Sequence, residues 1–457
     1  MKTVNFFEQK LLNKYDTSGP RYTSYPTALE FSDNFSNDEL IRAGQSSSTK
    51  ELSLYLHIPF CHSLCYYCGC NKIVTRHTAK ADIYLDNLEK EILSRAQTFG
   101  TRSIRQLHLG GGTPSFLSHA QLSRLIANLR NNFSFAKDIE MSIEVDPREI
   151  ELELADHLAS IGFNRLSIGV QDTNQKVQKA INRPQSTEFI QSLIKRAKLV
   201  GFTSVNIDLI YGLPHQTKET FSQTLDDVIN KLNADRISLF SYAHMPKVFA
   251  AQRKIRDEWM PSTDDKFALM KLAIETLSAN GYEFIGMDHF AKPTDELAKA
   301  QQNAELHRNF QGYTTKGDCD LLGLGVSAIS SVDDVYSQNV KTLKDYYQQI
   351  DNQGHAVVKG RRLSQDDKIR RLVINQLMCN LYLDKKSVEQ EFKINFEQYF
   401  ADDIRSLSPF INDGLLKNTA ENINVSPRAR LLIRNICMSF DAYLKNHLNQ
   451  QRFSRVI

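Results

Sequence analysis

The stretch "YLHIPFCHSLCYYCGC", residues 55–70, places Cys61, Cys65, Cys68 and Cys70 within ten positions, in a chain of 457 residues with seven cysteines. Cys61, Cys65 and Cys68 are spaced C-x3-C-x2-C. Three thiolates on one loop can hold three irons of a [4Fe-4S] cluster, which leaves the fourth iron with no protein ligand. Such an open iron is a place for a substrate. Zinc competes for clustered thiols, but structural zinc sites favour two separated Cys or Cys/His pairs that close a tetrahedron, and one short run does not separate its ligands that way. Four small core cysteines are the remaining reading, disfavoured because thiols in so short a loop are a redox liability. His62 reads as a loop residue. Cys319, Cys379 and Cys437 are scattered, and Cys437 lies in an apolar helical run suited to core packing.

Composition narrows the setting. With 56 basic and 53 acidic residues the net charge is +3, too small for a whole-molecule field that draws in nucleic acid or an anionic membrane. The first residues, "MKTVNFFEQKLLNKYDTSGP", interrupt their apolar positions with charges, and nowhere do eighteen apolar residues run together, so neither a signal peptide nor a membrane span is expected. An odd number of cysteines, mostly in one place, is unlike a secreted disulfide scaffold. A cytoplasmic protein with reduced thiols is expected, long enough for a large catalytic domain with smaller attachments.

The elements that must position the thiols are legible as a repeat of strand and helix. Between about 51 and 290 the hydrophobic period alternates between 2 and 3.6, predicting six β-α units and a parallel sheet. The strands fall near Leu52–Ile58, Ile104–Leu109, Ile139–Val145, Arg165–Gln171, Val205–Ile210 and Arg236–Tyr242. Between them Leu122, Leu125, Ile126 and Leu129, then Leu193, Ile194, Ala197 and Val200, form apolar helix stripes, and Gly162, Gly201 and Gly281 stand where helix caps would. Parallel strands covered on both faces usually read as continuous apolar runs, yet here they alternate. Ile139, Met141, Ile143 and Val145 oppose Glu140, Ser142 and Glu144; Val205, Ile207 and Leu209 oppose Asn206 and Asp208. The apolar side then packs on helices and the polar side lines an open lumen, with Glu144, Gln171 and Asp208 near the C-terminal strand ends where barrels carry their active sites. Residues 1–50, with "SGPRYTSYPTA", read as an arm over the barrel without periodicity. Near the C-terminus "DGLLKNTAENINVSPRARLLI" reads as a hairpin then a helix, the order of a winged helix, but the mixed charge argues against DNA binding.

The cysteine loop after the first strand, with "LHLGGGTP" after the second, resembles the radical S-adenosylmethionine enzymes. "SGPRYTSYPTA", "HIPFCHSLCYYCGCNKIVTR", "SIEVDPREI", "GFNRLSIGVQD", "NIDLIYGLP", "MDHFA", "LHRNFQGYTT" and "RLLIRNICMSFDAYL" extend the resemblance over nearly the whole chain to one family within them, the oxygen-independent coproporphyrinogen III oxidases. The resemblance implies an α/β fold: a partial (β/α)6 barrel with an extension over 51–345, the arm of 1–50, and a mostly helical domain over 346–457. It implies that Cys61, Cys65 and Cys68 hold a [4Fe-4S] cluster whose open iron takes S-adenosylmethionine. Cys70 matches a family cysteine of the active-site loop that does not hold the cluster, and with Tyr55 it is assigned to catalysis. Contacts to this cofactor match Tyr55, Tyr67, Gly111, Glu144 and Ile329. Those to a second S-adenosylmethionine match Gly112, Thr113, Gln171, Arg183, Asp208 and Ala243, and Gln171 and Asp208 are also lumen positions by alternation.

The implied substrate is coproporphyrinogen III, and the implied product is protoporphyrinogen IX, with two propionates converted to vinyl groups. A 5′-deoxyadenosyl radical, made by reductive cleavage of S-adenosylmethionine, takes hydrogen from a propionate β-carbon, and carbon dioxide and one electron then leave. Arg21, with Tyr22 and Tyr25, is expected to close the pocket and bind carboxylate. The implied partners are a low-potential electron donor and the porphyrinogen, with no nucleic acid and no membrane, and the chain is expected to be a monomer. A haem-carrier relative would lack the arm and a cysteine at the position of Cys70, and a radical methyltransferase would release S-adenosylhomocysteine.

Overall fold

Period-two runs form a parallel array in the computed structural model, which describes residues 7–447; residues 1–6 and 448–457, part of the stretches read as an arm and a C-terminal domain, lie outside the described residues. Glu51–Ile58 (β1), Ser103–Gly111 (β2), Ser134–Val145 (β3), Arg165–Gln171 (β4), Ser204–Tyr211 (β5) and Arg236–Ser241 (β6) lie side by side in that order, all parallel. Helices Ala79–Phe99 (α1), His119–Asn132 (α2), Glu153–Ser160 (α3), Thr187–Leu199 (α4) and Lys218–Asp226 (α5) connect them. Alternation works as the sequence predicts. Met141, Ile143, Val145, Ile207 and Leu209 are buried in the main core, while Ser142, Glu144, Ser167, Asn206 and Asp208 are half-buried on the opposite face. After α3, α4 and Thr263–Ala279 (α6), Gly162, Gly201 and Gly281 take positive φ, and the next N–H of each turns back onto a helix carbonyl: Phe163 to Leu158, Phe202 to Ala197, Tyr282 to Leu277.

The sheet is wider than six strands. Glu283–Gly286 (β7) and His289–Ala291 (β8) extend one side, antiparallel, beyond β6. On the other side Asp320–Leu324 (β9) pairs with β1 as a seventh parallel strand, followed outward by antiparallel Ile329–Val332 (β10), Val335–Asn339 (β11) and Val357–Arg362 (β12). All five residues of "DLLGL" in β9 are buried, so it shows no period-two signal, and a run that short is not distinguishable from buried helix by pattern. The outermost strands are β12 and β7, so the array is an open, partial barrel.

A second core joins the two ends of the chain. Leu11, Leu12, Tyr15, Tyr22 and Tyr25 of the arm pack with Ile369, Val373, Leu377, Phe396, Phe400, Ile436 and Cys437. The arm also contains helices at Gln9–Tyr15 and Asn37–Ser46, the latter opened by a Ser36/Glu39 capping box, so it is more regular than expected. The C-terminal hairpin forms as Leu416–Asn418 with Asn422–Val425, and Tyr382–Asp384 adds an unforeseen third strand. Among the described residues no helix is long and apolar enough to cross a membrane.

One buried acid ties the β9–β11 extension to α1. Glu91, fully buried, accepts hydrogen bonds from Tyr346 Oη (2.7 Å), Asn339 Nδ2 (2.8 Å) and the Gly325 N–H (2.8 Å). Glu91→Ala leaves three buried donors unsatisfied at about 1–3 kcal/mol each. A stability loss of about 3 kcal/mol or more is therefore expected in urea unfolding, and a loss below about 1 kcal/mol would mean the network does not hold the extension.

Candidate active site

The cysteine loop leaves β1 and is closed by a short parallel pairing, Phe60 with Ile73 and Cys61 with Val74. Its floor is the glycine turn after β2. The Gly112 N–H donates to the Ile58 carbonyl at 2.8 Å, and a Cβ on Gly112 would lie 2.6 Å from the Pro59 carbonyl carbon and oxygen. Gly111 has φ +114°, and its absent Cβ leaves room for the His57 ring. Cys61 and Cys65 are buried, Cys68 is half-buried, Cys70 is exposed, and all four are free thiols. Burial pushes the Cys61 thiol up to about 11, although Thr113 Oγ1 donates to its sulfur at 3.3 Å. A hydrogen bond from the Cys70 thiol holds Cys68 down to about 6.

Beneath Cys65 the expected Arg183 is joined by two residues that the sequence reading did not single out, Arg148 and Asp146. Arg148 and Arg183 each donate to Cys65 Sγ at 3.3 Å and pair with Asp146 Oδ2, at 2.6 and 3.0 Å. Burial opposes the charge on Asp146, yet the two guanidiniums hold its carboxyl below the usual range. The signal was present in "DPR" of "SIEVDPREI", directly past the C-terminal end of β3. Arg183 also donates to the Gly169 carbonyl, and a Cβ on Gly169 would meet both Arg183 Nη2 (2.7 Å) and Gln171 Nε2 (2.8 Å). That brings Gln171 to Arg183. Gln171 reaches this place because the β4–β5 register shifts there and its φ is +65°.

Across β1, β2 and β3 the paired residues Tyr55, His108 and Ser142 form one row on the lumen face. Tyr55 stacks on His108 with ring centroids 5.8 Å apart, and its hydroxyl meets His57 Nδ1 at 3.1 Å. His108 Nε2 lies 3.2 Å from Glu144 Oε1, and the Gly111 N–H donates to Glu144 Oε2 at 3.3 Å. Burial favours the neutral acid, but these contacts outweigh it and hold the Glu144 carboxyl below its ordinary range. His57 and His108 were missed by the sequence reading; His57 shares parity with Tyr55 along β1, and His108 is out of phase with the buried Leu107 and Leu109 along β2, which carries the signal.

The remaining expected residues have surroundings of their own. Ile329 opens β10 beside Gly323, the partner of Tyr55, whose Cβ would lie 2.4 Å from the Ile329 carbonyl oxygen. Tyr67 packs against the cluster of Val177, Ile181, Ile210, Leu213, Tyr242 and Ile255, and Gln252 Nε2 bridges the carbonyls of Tyr67 (3.0 Å) and Ala243 (3.1 Å). Asp208 accepts from Asn206 Nδ2 at 2.9 Å. The arm differs from expectation. Tyr22 and Tyr25 are 4% and 2% exposed and bond to Asp441 and to the Ala442 N–H, so they pin the arm to the C-terminal region and are not open to a carboxylate. Arg21 remains partly exposed and pairs with Asp288.

Burial and the charge of Glu144 push the Asp208 carboxyl up to about 7, against the bonds from Asn206 and Ser238. In the unfolded chain an aspartate titrates near about 3.9, so ionising Asp208 disfavours the folded form. Its stability contribution is complete below about pH 4 and is lost as pH rises through 7. Asp208→Asn is thus expected to gain melting temperature relative to the parent across this window; a difference independent of pH would contradict the buried placement.

Residues 55–228 match the Radical SAM superfamily, and residues 363–432 match the HemN C-terminal domain. The cofactors of that superfamily, a [4Fe-4S] cluster and S-adenosylmethionine, fit what is present: three free thiols with hydrogen-bond donors aimed at two of their sulfurs, beside a glycine turn that admits no side chain. Fold and site therefore define a radical S-adenosylmethionine protein. The chain is 58% identical to the oxygen-independent coproporphyrinogen III oxidase of Salmonella typhimurium over 98% of both chains, and 46% identical to that of Pseudomonas aeruginosa over 99% of both. A solved structure described as coproporphyrinogen III oxidase from Escherichia coli, a radical SAM enzyme, superposes with a TM-score of 0.92 at 56% identity, covering 95% of this chain and 99% of that one. The chain belongs to the oxygen-independent coproporphyrinogen III oxidase family.

Proposed function

We propose that this protein oxidatively decarboxylates two propionate side chains of coproporphyrinogen III to vinyl groups, giving protoporphyrinogen IX without oxygen. The observation that carries the reading is the set of three free thiols, two of them held under hydrogen-bond donors, at the C-terminal edge of a sheet whose lumen is polar and half-open. When bound, the cluster and S-adenosylmethionine supply one-electron reduction and hydrogen abstraction. Cys61, Cys65 and Cys68 hold the cluster. Tyr55, Tyr67, Gly111, Glu144 and Ile329 bind and orient the first S-adenosylmethionine. Glu144, kept ionised by His108 and the Gly111 N–H, accepts hydrogen bonds as an acidic residue does from a ribose diol. Gly112, Thr113, Gln171, Arg183, Asp208 and Ala243 form a second site for the same cofactor. Cys70 and Tyr55 act in the chemistry beside the loop.

Further parts of the reading are a division at 50 and 345 into arm, barrel and C-terminal domain, a cytoplasmic monomer, and a low-potential protein as electron donor, without nucleic acid or membrane. The fate of S-adenosylmethionine tests the function. Anaerobic turnover with the porphyrinogen is expected to yield 5′-deoxyadenosine and methionine; S-adenosylhomocysteine as the main product would replace the reading with methyl transfer.

A further inference from the structure

On the β6–β8 side of the lumen lies a cationic corner that the site described above does not use. Ser238 donates to Asn206 and so faces the lumen, and His289 sits directly opposite Ser238 across the β6–β8 pairing, on the same face. The Tyr313 ring stands edge-on to His289 with centroids 5.2 Å apart, and the Arg308 guanidinium lies over Tyr313 at 4.7 Å. Arg21 pairs with Asp288, the neighbour of His289, and Arg434 Nε donates to the Pro20 carbonyl at 2.9 Å. Arg308 is 8% exposed, its Nε and Nη1 make no hydrogen bond, and it pairs with no carboxylate among the described residues. A buried guanidinium without a counter-ion is costly unless a ligand supplies one. The neighbouring charges agree: burial together with Arg308 and Arg21 drives His289 down to about 3, and burial with the same two lowers Arg434 to about 10.

Apolar surface leads from this corner to the cysteine loop. Phe240, 36% exposed, is two residues along β6 from Ser238 and meets the His289 ring edge-on at 6.4 Å. In the loop that follows β6, Met245 and Val248 are 44% and 64% exposed, and Phe249 packs so close to Gly69 that a Cβ there would lie 2.9 Å from its ring. Exposed apolar side chains bounded by a guanidinium without a carboxylate suit a macrocycle of apolar pyrrole rings with carboxylates at its rim.

We propose that Arg308, with Arg21, binds a propionate carboxylate of the tetrapyrrole that is not at the reacting position, while Phe240 and the loop at 245–249 contact the pyrrole rings. This rests on the porphyrinogen reading. Arg308 is then a substrate-binding residue that sets which propionate reaches the reaction centre, and Arg21 exchanges Asp288 for substrate as the arm settles. The test is anaerobic titration of the reconstituted protein with coproporphyrin III, a stable tetracarboxylate, followed by fluorescence. Arg308→Gln is expected to weaken binding by about tenfold or more, with Arg308→Lys recovering part of it and iron content unchanged. Binding within about twofold of the parent in Arg308→Gln would overturn the proposal. Should Arg308→Gln fail to fold, Arg21→Gln, on a partly exposed side chain, is expected to weaken binding by about threefold or more, and unchanged binding there would overturn it equally. A parent that binds coproporphyrin III, with weaker variants, yet never decarboxylates the porphyrinogen leaves this subsite standing and removes the function reading. A parent that does not bind it removes the subsite.

Discussion

Cys65→Ser is expected to lower porphyrinogen turnover by about 10³-fold or more, a loss of about 4 kcal/mol in transition-state stabilisation, together with the iron and sulfide bound per chain. Cys65 is buried under two guanidiniums that both point at its sulfur, 3.3 Å away. That environment suits a negatively charged cluster. A serine hydroxyl is a harder and less acidic donor, so the loop would keep its cations without the anion they face. Cys70→Ser provides the contrast. Cys70 is exposed and is not assigned to the cluster, so its loss is expected to spare iron content while turnover falls. Full iron content in Cys65→Ser would show that the three-thiol assignment is wrong.

Gly112→Ala is the second large effect, about 10²-fold in turnover, because the added methyl strikes backbone. Its Cβ would stand 2.6 Å from the Pro59 carbonyl, immediately ahead of the cysteine loop, and 2.9 Å from the Phe60 carbonyl oxygen. Neither can rotate away. The turn or the loop must shift, and a displacement of about 1 Å between reacting groups is enough for a loss of that size. The same substitution at Gly414, with φ +66° and nothing within 4 Å, tests backbone strain alone and is expected to cost about 1 kcal/mol of stability with kcat unchanged. Equal kcat for Gly112→Ala and the parent would mean the glycine turn does not seat the loop.

The six parallel strands were legible because their alternation is strict: buried Met141, Ile143 and Val145 against half-open Ser142 and Glu144 is a pattern that only a face-selective environment produces. The same alternation found Glu144 and Asp208. Strand β9 was hidden because both its faces are buried, which erases the period. The arm was underestimated for another reason. Tyr22 and Tyr25 read as pocket residues near Arg21, yet their hydroxyls meet partners more than four hundred residues away, Asp441 and the Ala442 N–H. Contacts of that range leave no periodic trace. Arg148 and Arg308 were missed likewise, since a guanidinium next to a thiol or without a carboxylate is a property of three-dimensional surroundings and not of local spacing.

If the thiols and the polar lumen serve one reaction, its products must show it. The protein is reconstituted anaerobically with iron and sulfide, reduced, supplied with S-adenosylmethionine and coproporphyrinogen III, and the porphyrin products are resolved by chromatography and mass. Loss of two carbon dioxide units with two vinyl groups formed is the predicted result. Unchanged coproporphyrinogen III, or bound haem without decarboxylation, from a sample whose cluster is intact would contradict the account.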